Sequence, residues 1–162
     1  PKDHEVGKIH SQILTQQNFK ILVCNSNLMK NDLMNRFDIP EDKMRVIYPE
    51  FNPGKFNLDG IVLRENFRKK FNYHKDDLVI GLITSGNFKK RNLSLLIEAS
   101  NLLVKKGHQF KIFVAGKDGS DPYLNKTNEY GLTDHFKFAP GISEVEMYYH
   151  GVDIFVLAAH IE

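Results

Sequence analysis

Apolar residues fall into two kinds of segment, short continuous runs and longer segments in which they recur at helical spacing. The continuous runs predict strands at residues 20–25, 44–48, 77–84, 110–116, 135–140 and 153–159. The periodic segments predict helices at residues 4–19, 27–37, 65–71, 93–106, 121–130 and 143–149. Strands that alternate with helices in this way predict an α/β fold, a Rossmann-like, doubly wound parallel sheet.

Polar residues mark where several of these helices begin. Three of them are expected to cap the helices that follow: Ser26, Asn92 and Ser143. The apolar run at residues 20–25 predicts a strand buried on both faces. Its single cysteine, Cys24, is therefore expected to be a buried structural thiol.

Composition and linker sequence define the organisation of the chain. It has 162 residues, 41% hydrophobic and 26% charged, the proportions of an ordinary soluble globular protein. A segment rich in proline, glycine and asparagine at residues 51–60 predicts a linker between residues 1–50 and residues 61–162. With one cysteine there is no intrachain disulfide, and no apolar run reaches the roughly 18 residues that a membrane-spanning helix needs. These features predict a cytoplasmic location.

The net charge is small, but three cations stand together where a helix is predicted to begin. The formal charge is +2, so any anion site must arise from local clustering. Lys89, Lys90 and Arg91 precede the predicted helix at residues 93–106, at the end where the helix dipole disfavours cations. A multiply charged anion such as a diphosphate would relieve this conflict, helped by free helix N–H groups. The alternative is that the three side chains are simply solvated, and this is expected of Lys89.

The residues before these cations are small, which lets a ligand approach the backbone closely. Five residues of this stretch are therefore expected to contact the anion: Ser85, Gly86, Asn87, Lys90 and Arg91. The stretch has neither the Walker A nor the G-x-G-x-x-G spacing, which argues against an ATPase and a dehydrogenase. No basic stripe with interleaved aromatic residues indicates nucleic-acid binding.

Two further strand ends are expected at the same edge of the sheet. Gly116 and Lys117 would add a close backbone approach and a further cation, although "GKDG" is also a favourable turn. Gly141 and Ile142 offer backbone groups to a planar base, although the segment also fits a plain strand-to-helix turn. We expect Lys90, Arg91, Gly116 and Gly141 to line one crevice. The histidines show no metal-ligand spacing, so no metal site is predicted.

Taken together, these segments resemble the retaining GT-B glycosyltransferases of group 1. "VIGLITSGNFKKRNLSLLIEASNLL" is similar to the first strand, Lys-Gly loop and helix of that family's donor domain, and "FKIFVAGKD" to its next strand. "HFKFAPGISEVEMYYHGVDIFVLAAHIE" resembles the block that leads to its E-x-x-x-x-x-x-x-E motif. "VCNSNLMKNDLMNRFDIPEDKMRVIYPEFNPGKF" is similar to its passage from acceptor domain to donor domain.

The resemblance implies a fragment of a GT-B enzyme. Residues 1–50 would end the acceptor-side domain, and residues 61–162 would form the front half of a truncated donor-binding domain, inactive alone. Lys90 and Arg91 fall at or beside the family's lysine, and Glu162 on the first glutamate of its motif. The implied catalytic residues are therefore Lys90, Arg91 and Glu162, and the implied donor is a UDP or GDP sugar, with no cofactor or metal.

The same resemblance implies a glycan or lipid-linked acceptor, as in lipopolysaccharide-core or cell-surface glycan assembly. It also implies peripheral contact with the inner membrane through the missing domain. Two alternatives stay open: a non-catalytic, flavodoxin-like phosphate- or nucleotide-binding domain, and another GT-B enzyme such as a sugar-nucleotide epimerase or a glycogen-type synthase. A binding screen with UDP, GDP, ADP, FMN and NAD would separate these classes.

Overall fold

The computed structural model describes residues 2–56, 59–141 and 143–159, and the chain divides into two compact units, Pro1–Asn52 and Pro53–Glu162. The first unit contains helix α1 (Lys2–Gln16), strand β1 (Leu22–Cys24), helix α2 (Asn27–Phe37) and strand β2 (Met44–Val46). Strands β1 and β2 pair in parallel. The predicted cap of α2 is confirmed, because the Ser26 hydroxyl accepts a hydrogen bond from the Met29 N–H at 3.1 Å.

The small core of the first unit lies on one side of its two-stranded sheet. Cys24, Ile39 and Met44 are buried there and pack against apolar side chains of α2, so the buried thiol is confirmed. Val23, by contrast, is 55% exposed. The prediction that this strand is buried on both faces is therefore wrong, since neighbouring side chains of a strand point to opposite faces and α2 packs on the Cys24 side.

The second unit contains a four-stranded parallel sheet in the order β5-β4-β3-β6. Its strands are β3 (Val79–Ile83), β4 (Lys111–Gly116), β5 (Phe136–Pro140) and β6 (Ile154–Phe155). Its helices are α3 (Gly60–Lys70), α4 (Leu93–Lys105), α5 (Asp121–Glu129) and α6 (Val145–Gly151). The α/β class and the parallel sheet predicted from the sequence are confirmed.

Helices cover both faces of this sheet, as a doubly wound fold requires. Along β4, Phe113 belongs to a core cluster shared with α3 and α6, whereas Val114 belongs to a cluster shared with α4. This alternation follows from the two-residue period of a strand. Helices α3 and α6 approach closely at Gly151, where a Cβ atom would lie 2.1 Å from the Phe67 ring.

Several element ends differ from the predictions, among them three in the second unit. Helix α3 begins at Gly60, five residues earlier than expected, because the Asp59 carboxylate accepts hydrogen bonds from the N–H groups of Ile61 and Val62. Helix α6 begins at Val145, so Ser143 is not its cap. Strand β6 comprises only Ile154–Phe155, where the apolar run had predicted seven residues.

An ion-pair cluster holds the start of the short strand β6. The Asp153 carboxylate contacts two arginines of α3, Arg64 and Arg68, and accepts the Val79 N–H at 2.7 Å. Burial alone would raise the pKa of the Asp153 carboxyl, but the hydrogen bonds from Val79 and Arg64 and the arginine charges together lower its pKa below the usual value. The carboxylate is therefore kept ionised beside the edge of the sheet.

Candidate functional site

The strand order defines where a ligand is expected. Strand β3 has β4 on one side and β6 on the other, and open α/β sheets bind ligands beyond the carboxyl ends of their strands at such a switch point. A cavity of about 360 Å³ lies there, and we call it the switch-point cavity. Its lining residues come from the end of β3, the next loop, α6 and the segment that contains β6: Ile83, Thr84, Ser85, Arg91, Val145, Tyr149, Phe155 and Leu157.

One wall of the switch-point cavity is aromatic. The ring centroids of Tyr149 and Phe155 are 5.3 Å apart, and the angle between the two ring planes is 56°. Tyr149 is 39% exposed and Phe155 is 43% exposed. The guanidinium-bearing Arg91 is partly buried and lines the same cavity. An apolar wall with few polar groups and a cation suits an anionic ligand that also carries a ring. The sequence analysis selected neither aromatic residue, because Tyr149 fell in a predicted helix and Phe155 in a predicted strand.

The loop that carries the cations, residues 84–92, is closed by its own hydrogen bonds, and we call it the cation loop. Asn87 accepts two of these hydrogen bonds. The Lys90 N–H donates to its side-chain oxygen, and the Arg91 N–H donates to its backbone carbonyl. The N–H groups of Asn92 and Leu93 likewise donate to carbonyls within the loop. The expectation of free N–H groups at this helix start is therefore wrong for these positions.

Asn92 stands at the N-cap position of α4 but does not act as the expected side-chain cap. Its backbone is left-handed, with φ 55°, and its side chain makes no capping hydrogen bond. Asn87 is also left-handed, with φ 64°. Asparagine tolerates this conformation better than most residues, so both asparagines shape the turn around the cations.

The cation loop is anchored by a residue that the sequence analysis did not select. Phe88 is 2% exposed and lies edge-on to Tyr123 at 5.6 Å. Its ring also lies against Gly116, where a Cβ atom would be 2.5 Å away. Gly116 therefore has a packing reason to be glycine, independent of its predicted contact with a ligand.

A carboxylate from the next strand end holds the same loop. Asp118 follows β4, and its Oδ2 accepts the Phe88 N–H at 2.6 Å. Burial, and next the negative charge of Asp118, raise the pKa of the Tyr123 hydroxyl. Sequence reasoning missed this contact because 30 positions separate Asp118 from Phe88.

The other predicted residues lie around neighbouring cavities. Lys117 and Gly141 line a cavity of about 420 Å³, and Gly116 lines another of about 170 Å³. These two cavities are adjacent, since Pro140 lines both, and the single crevice expected for Lys90, Arg91, Gly116 and Gly141 stays a prediction. The Gly141 N–H donates to the Gly116 carbonyl at 2.7 Å, so it is not the uncovered backbone donor that was expected.

Some of the remaining candidate residues lie on the cation loop, and two lie outside the described residues. Lys89 and Lys90 are both exposed on the cation loop. Gly86 has φ 145° and lies against Asp118, and its carbonyl accepts the Thr84 hydroxyl at 2.9 Å. The predictions for Ile142 and Glu162 fall outside the described residues.

Two kinds of feature do not occur in residues 2–56, 59–141 and 143–159. Among these residues no group of three or more His, Cys, Asp or Glu side chains could hold a metal ion. Within the same ranges, no helix has both the length and the apolar character needed to cross a bilayer.

A doubly wound parallel sheet with a cationic loop at its switch point is the framework of many nucleotide-binding enzymes. The family model described as "Glycosyl transferases group 1" matches residues 64–162, more than half of the chain. The chain therefore belongs to the group 1 glycosyltransferases.

Curated relatives are similar over part of their length. The chain is 27% identical over 104 residues to the uncharacterized glycosyltransferase MJ1607 of Methanocaldococcus jannaschii, covering 64% of this chain and 26% of that protein. It is 26% identical over 110 residues to CapM of Staphylococcus aureus, a capsular polysaccharide biosynthesis glycosyltransferase, covering 67% of this chain and 28% of CapM. The chain thus spans about a quarter of the length of these relatives.

Solved structures share the fold. WaaG, a glycosyltransferase involved in lipopolysaccharide biosynthesis, matches with a TM-score of 0.74 at 17% identity, over 87% of this chain and 38% of WaaG. Anabaena HepE in complex with UDP and glucose matches with a TM-score of 0.70 at 14% identity, over 91% of this chain and 40% of HepE. At these identities the likeness extends to the GT-B architecture alone.

Proposed function

We propose that this chain carries the donor side of a glycosyltransferase that moves a sugar from a nucleoside-diphosphate sugar, of UDP or GDP type, to a glycan or lipid-linked acceptor. The observation that carries the proposal is the position of Arg91, which lines the switch-point cavity beside Thr84 and Ser85. The family membership of residues 64–162 supplies the reaction class. HepE, which shares the fold, is described in complex with UDP-glucose.

The chemistry assigns charge stabilisation to the cation loop. Cleaving a sugar–diphosphate bond leaves negative charge on the departing phosphate, and fixed cations stabilise such charge in the transition state. In this proposal Arg91 and Lys90 hold the diphosphate, and Ser85, Gly86 and Asn87 border it. Glu162 contacts the donor sugar, and the acceptor attacks the face from which the phosphate leaves, so the configuration is retained.

The proposal extends to the organisation of the intact protein. Residues 61–162 form the front half of the donor domain, residues 1–50 end the acceptor-side domain, and residues 51–60 link the two; the division of the chain into the compact units Pro1–Asn52 and Pro53–Glu162 supports this organisation. Lys117, Gly116, Gly141 and Ile142 face the nucleotide. The 162-residue chain alone does not transfer sugar, and the intact enzyme works in the cytoplasm, touching the inner membrane peripherally. CapM and WaaG, which act in capsule and lipopolysaccharide biosynthesis, favour a cell-surface glycan as the product.

The binding preference of the chain tests the proposal directly. Titration calorimetry with UDP, GDP, ADP, FMN and NAD should show binding of one nucleoside diphosphate and no binding of FMN. A ligand that binds only the native state also raises the unfolding temperature, so a thermal-shift measurement provides an independent readout. Binding of FMN alone would contradict the proposal and favour a flavodoxin-like domain.

Substitution of single cations by alanine tests where the nucleoside diphosphate binds. Arg91→Ala should weaken binding of the preferred nucleoside diphosphate about ten- to hundredfold, the effect of losing a hydrogen bond to a charged group. Lys89→Ala removes the same charge from an exposed neighbour and should change the affinity less than about threefold. In the intact enzyme, Lys90→Ala with Arg91→Ala should abolish transfer. Equal losses for Lys89 and Arg91 would contradict the assigned positions.

A further inference from the structure

We propose that Asp118 is a positioning residue, whose carboxylate fixes the cation loop so that Arg91 faces the switch-point cavity. This inference rests on the proposed function and extends it to a residue outside the loop. Asp118 follows β4, whereas the cation loop follows β3. The contact therefore ties together two neighbouring strand ends at the ligand edge of the sheet.

The geometry is that of a strong hydrogen bond. The distance from the Phe88 nitrogen to Asp118 Oδ2 is 2.6 Å, and hydrogen bonds to ionised acceptors are shorter and stronger than neutral ones. The other carboxylate oxygen lies beside Gly86, where a Cβ atom would be 3.2 Å from Oδ1. The φ of Gly86 is 145°, a conformation that favours glycine, so the loop backbone can pass close to the carboxylate.

The contact at Phe88 is transmitted to Arg91 through the turn between them. The Leu93 N–H donates to the Phe88 carbonyl at 3.1 Å, and the Arg91 N–H donates to the Asn87 carbonyl at 3.1 Å. Phe88 is therefore held by its ring in the core and by its N–H at Asp118. Phe88 thus links the turn that bears Arg91 both to the core and to Asp118.

The negative charge of Asp118 lies beside a site that is proposed to bind an anion. A negative charge beside an anion site repels the ligand, so as a charge alone Asp118 would weaken binding of a diphosphate. Its placement is explained if the hydrogen bond to Phe88 contributes more than this repulsion costs. If the positioning role dominates, removal of the Asp118 side chain weakens binding of the diphosphate. If the charge dominates, the same change strengthens that binding.

Three variants of the 162-residue chain separate these roles. Asp118→Asn removes the charge and keeps an oxygen acceptor, Asp118→Ala removes both, and Asp121→Asn removes one negative charge elsewhere in the same segment. The measurements are the dissociation constant for UDP by calorimetry, hydrogen exchange of the Phe88 amide by NMR, and the unfolding temperature. The exchange rate reports the loop directly, in the absence of ligand.

We expect Asp118→Ala to weaken UDP binding about tenfold and to accelerate exchange of the Phe88 amide. For Asp118→Asn and Asp121→Asn the dissociation constant for UDP should stay within about twofold of that of the unchanged chain. An unfolding temperature that stays within a few degrees in Asp118→Ala shows that the fold survives. UDP binding by Asp118→Ala that is unchanged or tighter overturns the positioning role and leaves the proposed function intact. Failure of the unchanged chain to bind any nucleoside diphosphate overturns the proposed function itself, and the assigned role of Asp118 with it.

Discussion

At the scale of single residues, the cation loop depends on side chains that carry no charge. Phe88 places an aromatic ring in the core directly beside three exposed or partly exposed cations. The ring occupies space that Gly116 leaves open at the end of β4. A large buried side chain next to a charged surface loop fixes that loop more firmly than the charges themselves can, because surface charges are screened by salt.

Gly116→Ala tests this packing. A Cβ atom 2.5 Å from the Phe88 ring cannot be accommodated without displacement of the ring, so we expect a loss of about 1–3 kcal/mol in the free energy of unfolding. Urea denaturation followed by circular dichroism measures this loss. Gly119→Ala is the matched control three residues away, where no atom lies within 4 Å of the new Cβ, and equal destabilisation by the two variants would contradict the packing role.

At the scale of elements, the short strand β6 is held both by its ladder with β3 and by ion pairs to α3. Only Ile154 and Phe155 are in the strand, and they pair with β3 alone among the described strands. The Asp153 carboxylate, whose side chain is 24% exposed, joins this strand start to Arg64 and Arg68. Since Phe155 lines the switch-point cavity, this ion-pair cluster also supports a wall of the candidate site.

Asp153→Asn should therefore destabilise the protein in a pH-dependent way. Because Arg68 would stay buried without its carboxylate, we expect a loss of about 2–3 kcal/mol at pH 7, less than for a fully buried pair. The folded-state pKa of Asp153 is lowered, so its ionisation stabilises the fold above the usual aspartate pKa of about 3.9, and this contribution is lost as the pH falls through the folded-state value.

Urea titrations of Asp153→Asn and the unchanged chain between neutral and acid pH measure this difference. The gap in unfolding free energy should be largest near neutrality and should shrink as the carboxyl becomes protonated. Asp76→Asn is a suitable control, since the Asp76 side chain is 75% exposed and its loss should have little effect at any pH. A gap for Asp153→Asn that does not depend on pH would contradict the ion-pair role.

Periodicity predicted each of the described strands and helices and some of their ends, such as both ends of α2 (Asn27–Phe37), but not all of the ends and none of the long-range ties. The order of elements follows from local spacing, which is why the α/β class could be predicted. The early start of α3 depends on the Asp59 cap, which the apolar pattern does not reveal, and the shortness of β6 depends on which strands lie beside it. The tie between Asp118 and Phe88 joins positions far apart in sequence, and neither charge nor spacing reveals such a contact.

At the scale of the whole molecule, the candidate site belongs to one compact unit. All the described candidate residues lie in Pro53–Glu162, which contains both core clusters of the four-stranded sheet. Pro1–Asn52 has a separate small core around Cys24, Ile39 and Met44. A unit with its own core can fold independently.

We therefore expect residues 53–162, expressed alone, to unfold cooperatively and to bind the preferred nucleoside diphosphate within about threefold of the complete chain. Thermal unfolding by circular dichroism and titration calorimetry test the two parts of this expectation. A truncated chain that folds but does not bind would show that Pro1–Asn52 contributes to the site. A truncated chain that does not fold would contradict the independence of its core.

The internal hydrogen bonds of the cation loop also bear on how such a site can diverge during evolution. Where a phosphate is held by backbone N–H groups, the contact survives almost any change of side chain. Here the N–H groups of Phe88, Lys90 and Arg91 already have acceptors within the protein, so that at these three positions a ligand is recognised through the side chains. A few substitutions on an unchanged backbone can then alter which anion is preferred, so that one scaffold can serve different substrates.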